Sequence, residues 1–294
     1  MQIKDSFRKI SVRYDLKRKW HRFSKSPLSI VGLVIAFGAI FLAVTAPYVV
    51  PYPAHAGLLT NYKDKFQAPS ATYLFGTDEL GRDVLSRTVF GFQYSMMMAV
   101  VVLGLVIPPG VILGLIAGYY RGTWVDTVIM RVADIFIAVP ALVLALAIAS
   151  VLTPSLFNAM MAVSLMWWPW YTRLTYNTAS ALRNEYFVQA SEVMGESSFG
   201  IIFREILPNC LGPILTKVTL DVGWVILLGA ALSFVGLGAQ PPTPDLGTMV
   251  SAGSAYLPEV WWICMFPATA ICIIILGFNL LGDGIRDMFI EEAR

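Results

Sequence analysis

The chain has 294 residues, of which 57% are hydrophobic and only 14% are charged, and its formal net charge is +2. Soluble domains carry about 25% charged residues, so this composition excludes a water-soluble globular protein and indicates an integral membrane protein. The three cysteines (Cys210, Cys264 and Cys272) lie in or beside apolar segments and are interpreted as small buried hydrophobes. The spacing of the two histidines from these cysteines predicts neither a zinc site nor a catalytic cluster.

Long gaps between charged residues predict an all-α, polytopic protein with six transmembrane helices. A membrane-crossing helix needs about 20 apolar residues. The predicted spans are Leu28–Val50, 95–118, 129–151, 157–176, and one span in each of the charge-free gaps 222–244 and 260–282. The third and fourth of these are divided by Thr153, Pro154 and Ser155.

Lysine and arginine residues are distributed unevenly between the two sides of this membrane protein. Seventeen lie in segments 1–27, 119–131, 173–217 and 282–294, whereas four lie in the alternate segments 51–93, 153–156 and 241–259. Because basic residues concentrate in cytoplasmic segments, both termini are predicted to be cytoplasmic. The basic N-terminal tail is interpreted as a topology anchor on anionic lipid.

These assignments divide the chain into consecutive regions. The predicted regions are a basic cytoplasmic tail at 1–27, a first transmembrane helix at 28–50, an extracytoplasmic segment at 51–93, a core of five helices at 94–290 and the C-terminal end at 291–294. No water-soluble domain is left over beyond the loops.

The segment from Gly76 to Arg87 leads into the second predicted span. Its glycines permit tight backbone turns, and Asp78, Arg82, Asp83 and Arg87 are able to form mutual ion pairs at the membrane interface. The favoured interpretation is a self-satisfied structural clamp, and docking of an external partner is the alternative. The docking or clamp residues of the 51–93 segment are Lys63, Lys65, Asp78, Arg82, Asp83 and Arg87.

Two glycine-rich patterns occur within the core region. Gly110, Gly114 and Gly118 are four residues apart, which predicts a smooth helix face that a neighbouring helix approaches closely. This face serves either core packing or, as the second interpretation, a moving interface. The Gly- and Pro-rich stretch 236–249 predicts a stiff external loop.

The hydrophilic stretch 177–217 predicts a helix, a break and a second helix. Gly195 is expected to end the first helix, Ser197 and Ser198 to cap the second, and Pro208 to end it. From pattern alone, this elbow is either an amphipathic hairpin at the lipid interface or a docking surface for another protein.

The order of residues in the elbow favours the docking surface. Phe187 to Ser191, Gly195 and Ile206 to Pro208 resemble the EAA loop of ABC importer permeases, with Gln189 in place of the Glu, Ser191 in place of the second Ala and Glu205 in place of the Ile. The resemblance identifies the ATPase-coupling residues as Gln189, Ala190, Ser191, Gly195, Glu196, Leu207 and Pro208. Together with 76–87, 236–249 and 278–287, the chain resembles, from about residue 28 to residue 290, the second permease subunit of dipeptide, oligopeptide and nickel importers.

The resemblance implies a type I ABC importer permease fold and a larger assembly. Its expected partners are a second, related permease, two ATP-binding subunits, an extracytoplasmic solute-binding protein and the lipid bilayer, with no nucleic acid. The expected location is the cytoplasmic membrane of a bacterium or archaeon. The chain contains no phosphate-binding Gly-x-x-x-x-Gly-Lys-[Ser/Thr] loop, so it is expected to be non-catalytic and to hold no cofactor or metal, with ATP and Mg used by partner subunits.

Several alternatives stay open from the sequence. The solute is expected to be a dipeptide or short oligopeptide, and nickel chelates and glutathione fit the same motifs. A secondary transporter with broken helices at Pro108, Pro109 and Pro140 is a rival from another class. An intramembrane enzyme would need convergent acids, histidines or cysteines, and the predicted spans contain no histidine and no paired acids. ATP-dependent uptake without a proton gradient would distinguish the importer from the secondary transporter.

Three polar residues near the spans have two interpretations. Asp134 and Asp221 are either pathway residues or structural ones, since a charge at membrane depth is costly unless it is paired. The expected partners are Arg131 for Asp134 and Lys217 for Asp221. Asn279 either bonds across helices or lines the path.

Overall fold

A computed structural model describes residue 18 and residues 20–289. The N-terminal tail predicted at 1–27 lies largely outside the described residues, and the C-terminal end predicted at 291–294 lies wholly outside them. Within the described part the chain is all-helical, with no named β-strand. The helices are α1 (Pro27–Val49), α2 (Val84–Tyr119), α3 (Trp124–Ile137), α4 (Ala141–Val151), α5 (Leu156–Leu182), α6 (Tyr186–Val193), α7 (Leu207–Phe234), α8 (Leu246–Ser254) and α9 (Trp262–Phe289).

Several of these helices are long and apolar enough to cross a membrane. Within the described part, four qualify outright, namely α1, α2, α9 and the continuous helix Ser198–Phe234 that contains α7. The pair α3 and α4, bent by 86° at its break, makes a fifth if it counts as one span. Helix α5, the fourth predicted span, has 27 residues but is too polar to qualify. The protein is therefore a multi-pass membrane protein.

The polar helix α5 is covered by other helices of the same chain. The main core lies between α2, α5 and α7, where Val102, Val163 and Val225 are fully buried. A second core joins α1 to α9 through Ala36, Ala39 and Ile274. Protein contacts, and not lipid, therefore surround much of α5, which explains why its sequence does not need to be apolar throughout.

The glycine face predicted on α2 packs directly on α5. A Cβ atom built at Gly110 would lie 2.7 Å from Tyr171 Cβ and 2.8 Å from the Trp168 carbonyl oxygen, and one at Gly118 would lie 2.7 Å from Ala179 Cβ. Close backbone approach of this kind requires glycine. The core-packing interpretation of this face is confirmed.

The second predicted span, 95–118, lies within α2, whose helix begins earlier, at Val84, with Arg87 paired to Asp78 at 3.5 Å. The fifth predicted span is misplaced. The fifth was placed in the 222–244 gap, but its helix begins far earlier, because Lys217 and Asp221 neutralise each other inside it at 3.1 Å. Paired charges do not mark the end of a span.

The prediction that Pro208 ends the second helix of the elbow is also wrong. A π-helical turn, Ile201–Ile206, leads directly into α7, and Pro208 lies at the beginning of α7. The Leu207 N–H bonds to the Ile202 carbonyl, five residues back. A proline lacks an N–H and disturbs the regular ladder, and the wider π-helical turn directly before it changes the hydrogen-bond register at that point.

The stiff external loop predicted at 236–249 is exposed only in part. Gln240 and Pro241 are exposed, whereas residues 244–247 are buried and α8 begins at Leu246. Helix α8 returns into the bundle, where a Cβ atom at Gly247 would collide with the backbone of Ala230 in α7. Only the first part of this loop is available at the surface.

Candidate functional site: an elbow and a buried clamp

The elbow predicted at 177–217 consists of α6, a glycine turn and the helical segment from Ser198 onward. Gly195 has φ +81°, a conformation that L side chains rarely adopt. Around it the Glu196 N–H bonds to the Ser191 carbonyl and the Gly195 N–H to the Glu192 carbonyl, each at 3.0 Å, which is a Schellman ending. Ser197 caps the next segment by accepting the Gly200 N–H, whereas Ser198 is already helical. The predicted stop at Gly195 and cap at Ser197 are confirmed.

The coupling residues predicted from the resemblance lie on different sides of this elbow. Gln189 and Ala190 are exposed, and the Gln189 side-chain amide donates to the Asn184 carbonyl at 3.0 Å. Ser191 is buried and donates to the Phe187 carbonyl. Glu196 is exposed and 3.9 Å from Arg204. Leu207 and Pro208 are not part of the turn and lie beyond the π-helical segment, at the start of α7.

Large apolar side chains cover the outside of the elbow. Tyr186, Val193, Met194 and Phe199 are between 72% and 89% exposed. Exposed apolar groups clustered on one short hydrophilic segment are typical of a protein interaction surface. This arrangement suits a second protein that covers the elbow.

Sequence reasoning missed the contact between the elbow and the membrane helices. The Glu192 Oε1 atom accepts a hydrogen bond from the Tyr119 hydroxyl at 3.0 Å and an ion pair from Arg183 Nη2 at 2.7 Å. The Arg183 guanidinium also lies 4.7 Å from the centre of the Tyr119 ring. No helical spacing relates these residues, because the helix is interrupted between Arg183 and Glu192 and Tyr119 belongs to α2.

The predicted clamp is built around Asp78, which is almost fully buried. Its Oδ2 atom lies 2.7 Å from Arg82 Nε and 3.5 Å from Arg87 Nε, and its Oδ1 atom accepts the N–H groups of Leu80 and Arg82. Asp83 takes no part in these ion pairs. Its Oδ2 atom instead caps α2 by accepting both the N–H and the hydroxyl of Ser86. The predicted pairing is therefore confirmed for Asp78, Arg82 and Arg87 and wrong for Asp83.

The clamp also holds together three separate parts of the chain. Arg87 Nη1 donates to the His55 carbonyl at 3.3 Å and to the Pro242 carbonyl at 3.5 Å. The Asp83 N–H donates to His55 Nδ1 at 2.8 Å, and burial lowers the pKa of that imidazole from its ordinary value. The 51–83 connector, the start of α2 and the loop after α7 are thereby fixed to one another.

Lys63 and Lys65 lie outside the clamp. Both side chains are exposed, and the Lys65 ammonium lies 4.7 Å from the Phe66 ring. Within the described residues neither lysine forms an ion pair. The structure thus separates the predicted external residues into a buried clamp and two free surface charges.

Of the two expected pairings of acids near the spans, one is confirmed and one is wrong. Asp221 is paired with Lys217, as expected, and also accepts from Trp167 Nε1 at 2.9 Å. Asp134 is paired with Arg173 of α5 instead of Arg131, because α3 packs beside α5 and brings the more distant arginine within reach. A cavity of about 530 Å³ lies beside Asp221, between α5, α7 and α9.

In the described part of the chain, no three His, Cys, Asp or Glu side chains are grouped so that they could hold a metal ion.

Two protein-family models match this chain. The model of a family described as "Binding-protein-dependent transport system inner membrane component" matches residues 110–294, which is more than half of the chain. The chain belongs to this family. A second model, described as the N-terminal TM domain of oligopeptide transport permease C, matches residues 16–69 of the permease.

Curated relatives cover nearly the whole permease. It is 40% identical over 271 residues to the dipeptide transport system permease protein DppC of Alkalihalophilus pseudofirmus, with 92% of this chain and 88% of the relative covered. It is also 40% identical over 268 residues to the probable D,D-dipeptide transport system permease protein DdpC of Escherichia coli, with 91% and 89% covered. The permease is thus one component of a multi-subunit transporter.

A solved structure supports the fold. A chain of the MetNI methionine ABC transporter, solved in inward-facing conformations, superimposes with a TM-score of 0.57 at 18% identity, covering 69% of the permease and 97% of that chain. The predicted type I ABC permease fold of the core agrees with this similarity. At this level of identity the comparison concerns the fold alone.

Proposed function

We propose that this permease is the transmembrane subunit of an ATP-driven importer that moves dipeptides or short oligopeptides across the bacterial cytoplasmic membrane. The observation that carries this proposal is the exposed apolar elbow of a chain whose relatives, over most of its length, are dipeptide permeases. The importer would contain a second, related permease, two ATP-binding subunits that use ATP and Mg, and a solute-binding protein. The test is uptake of a labelled dipeptide by the reconstituted complex, which should require both ATP and the binding protein. Uptake of only nickel chelates or glutathione would show that the importer carries a different solute.

The orientation of the permease is part of the same proposal. Six spans with both ends and the elbow in the cytoplasm are supported by the seventeen-to-four distribution of basic residues. In a Cys272→Ser background, which removes the one exposed native cysteine of the described residues, Lys65→Cys should react with an impermeant thiol reagent in intact cells. Asn184→Cys on the elbow should react only after the cells are opened. The reverse pattern would refute the orientation.

The elbow is proposed to couple the permease to the ATP-binding subunits. Ala190 is exposed and small, so a groove on the partner is able to receive this part of α6. Ala190→Trp should overfill that groove, at a cost of about 1–3 kcal/mol or more. The variant should insert in the membrane normally and lose the co-purifying ATP-binding subunits or the transport of solute.

A neighbouring substitution provides the comparison for Ala190→Trp. Gln189 bonds only within the elbow, so Gln189→Ala should be much less damaging than Ala190→Trp. Equal losses in co-purification of the ATP-binding subunits would mean that the contact surface is assigned to the wrong residues.

The external face is proposed to dock the solute-binding protein through Lys63, Lys65 and the exposed start of the loop at Gln240. Segment 51–93 has four basic and four acidic residues, and the clamp neutralises several of them internally. The free lysines therefore supply most of the local positive charge that an acidic partner surface would meet. This local charge governs association more than the net charge of the segment does. Rigid backbones on both sides of the clamp also lower the entropic cost of docking.

Reversing both lysines tests this docking surface. Lys63→Glu with Lys65→Glu should raise the half-saturating concentration of binding protein and make it more sensitive to salt, without changing basal ATP hydrolysis. The matched control is Lys63→Arg with Lys65→Arg, which preserves both charges. An unchanged half-saturating concentration in the reversed variant would place the docking surface elsewhere.

A further inference from the structure

Helices α2 and α5 form one body over their whole contact. The three glycines of α2 place its backbone against residues 168–180 of α5, with no side chain of α2 at these three positions. Close-packed interfaces of this kind deform little. A displacement applied to the cytoplasmic end of either helix is therefore shared by both.

The elbow helix α6 follows α5 across a short break at residues 183–185. A break of this kind interrupts the helical ladder, so the backbone alone does not fix the angle between α6 and α5. Val188 and Ser191 pack α6 inward from its buried face. The polar contact that crosses from α6 to both membrane helices is made by Glu192.

One oxygen atom of Glu192 receives both donors. The Tyr119 hydroxyl approaches it from the end of α2 at 3.0 Å, and Arg183 Nη2 approaches it from the end of α5 at 2.7 Å. Arg183 is held in place by the Tyr119 ring beneath it. The three side chains form a triangle, with one corner on each of α2 and α6 and the third directly after α5.

We propose that Glu192 is the positioning residue that makes the elbow move together with the α2–α5 pair. The inference rests on the proposed coupling function of the elbow and adds the residue through which a displacement of α6 reaches the membrane helices. With Glu192 in place, a rotation of α6 has to turn the helix pair as well. Without it, α6 is able to swing at the 183–185 break, and ATP is hydrolysed with less transport.

The other acids of the elbow do not have this geometry. Glu185 is exposed and its side chain forms no ion pair within the described residues. Glu196 is 3.9 Å from Arg204, which is itself 79% exposed and belongs to the segment leading into α7. Glu185→Gln is accordingly a matched control, since it removes an elbow carboxylate that takes no part in the pairing with Arg183 or the hydrogen bond from Tyr119.

The test is the number of ATP molecules hydrolysed per solute transported, measured on the reconstituted whole complex with its binding protein. Glu192→Ala should raise this ratio by about fivefold, the factor that corresponds to 1 kcal/mol, while the ATP-binding subunits still co-purify. Glu192→Gln keeps one acceptor oxygen and should have a smaller effect. Glu185→Gln should match the wild type.

Charge exchange separates coupling from a general loss of structure. Arg183→Glu alone places two carboxylates together and should raise the ratio further, and Arg183→Glu combined with Glu192→Arg should bring it back towards the wild-type value. If the double variant is no better than Arg183→Glu alone, the inference is overturned.

If Glu192→Ala does not assemble, Tyr119→Phe, which removes a single hydroxyl, decides the question in the same assay. An unchanged ratio in Tyr119→Phe then overturns the inference.

The outcomes also separate this inference from the proposed function. A wild-type complex that shows no ATP-driven uptake would refute the proposed function itself. A wild-type complex that couples normally, together with a Glu192→Ala variant of the same ratio, would refute only the role of Glu192.

Discussion

Asp78→Asn should destabilise the permease by about 3–5 kcal/mol, because it breaks a buried ion pair and leaves two arginines without their main counter-charge. The Asp78 and Arg82 side chains are 4% and 6% exposed and lie 2.7 Å apart, and Arg87 depends on the same carboxylate. An asparagine would also turn amide hydrogens towards groups that are themselves donors. Thermal unfolding of the purified complex, followed together with proteolysis of the 51–83 connector, measures the loss.

The neighbouring acid supplies the control for Asp78. Glu79 is 25% exposed and lies 3.5 Å from Arg82 Nη2, so Glu79→Gln should cost only about 0–1 kcal/mol. If the two variants unfold at the same temperature, the clamp contributes through its backbone turns and not through its charges.

Gly114→Ala should disrupt the contact between α2 and α5 at a cost of about 1–3 kcal/mol. A Cβ atom at this position would collide with the Thr175 side chain and with the Thr172 carbonyl oxygen of α5. A backbone oxygen within a helix cannot move aside, so the two helices would have to separate. The melting temperature and the yield of assembled complex should both fall.

Another glycine of α2 shows whether the effect depends on position. Gly104 has nothing within 4 Å of its missing Cβ atom. Gly104→Ala should therefore be neutral or stabilising by up to about 1 kcal/mol, because alanine has the higher helix propensity. A loss at Gly104 equal to that at Gly114 would show that helix flexibility, and not packing, requires these glycines.

The sequence predicted the helices well where the physical signal is local. The first span, the glycine face on α2 and the stop at Gly195 follow from apolar length, small-residue spacing and backbone conformation, each of which is set by a few neighbouring residues. The clamp was likewise predictable for Asp78, Arg82 and Arg87, because opposite charges four to nine residues apart were already close in the chain.

The sequence failed where the outcome depends on partners that are distant in the chain. Gaps between charges placed the fifth span too late in the chain, because Lys217 and Asp221 are neutralised within the fold. Asp134 forms its ion pair with Arg173, which helix packing brings within reach. The role of Glu192 depends on Tyr119 and Arg183, which the fold brings together from two other parts of the chain.

The π-helical turn at Ile201–Ile206 sets the angular phase between the elbow and α7. Successive residues of an α-helix are about 100° apart around its axis, so one residue more or fewer in this turn would point the exposed apolar side chains of the elbow in a different direction. Because Ile201, Ile202 and Ile206 are buried on the side of the core, the turn is unable to rotate freely to compensate. The number of residues between Gly195 and Pro208 therefore determines the direction in which the exposed side chains of the elbow face.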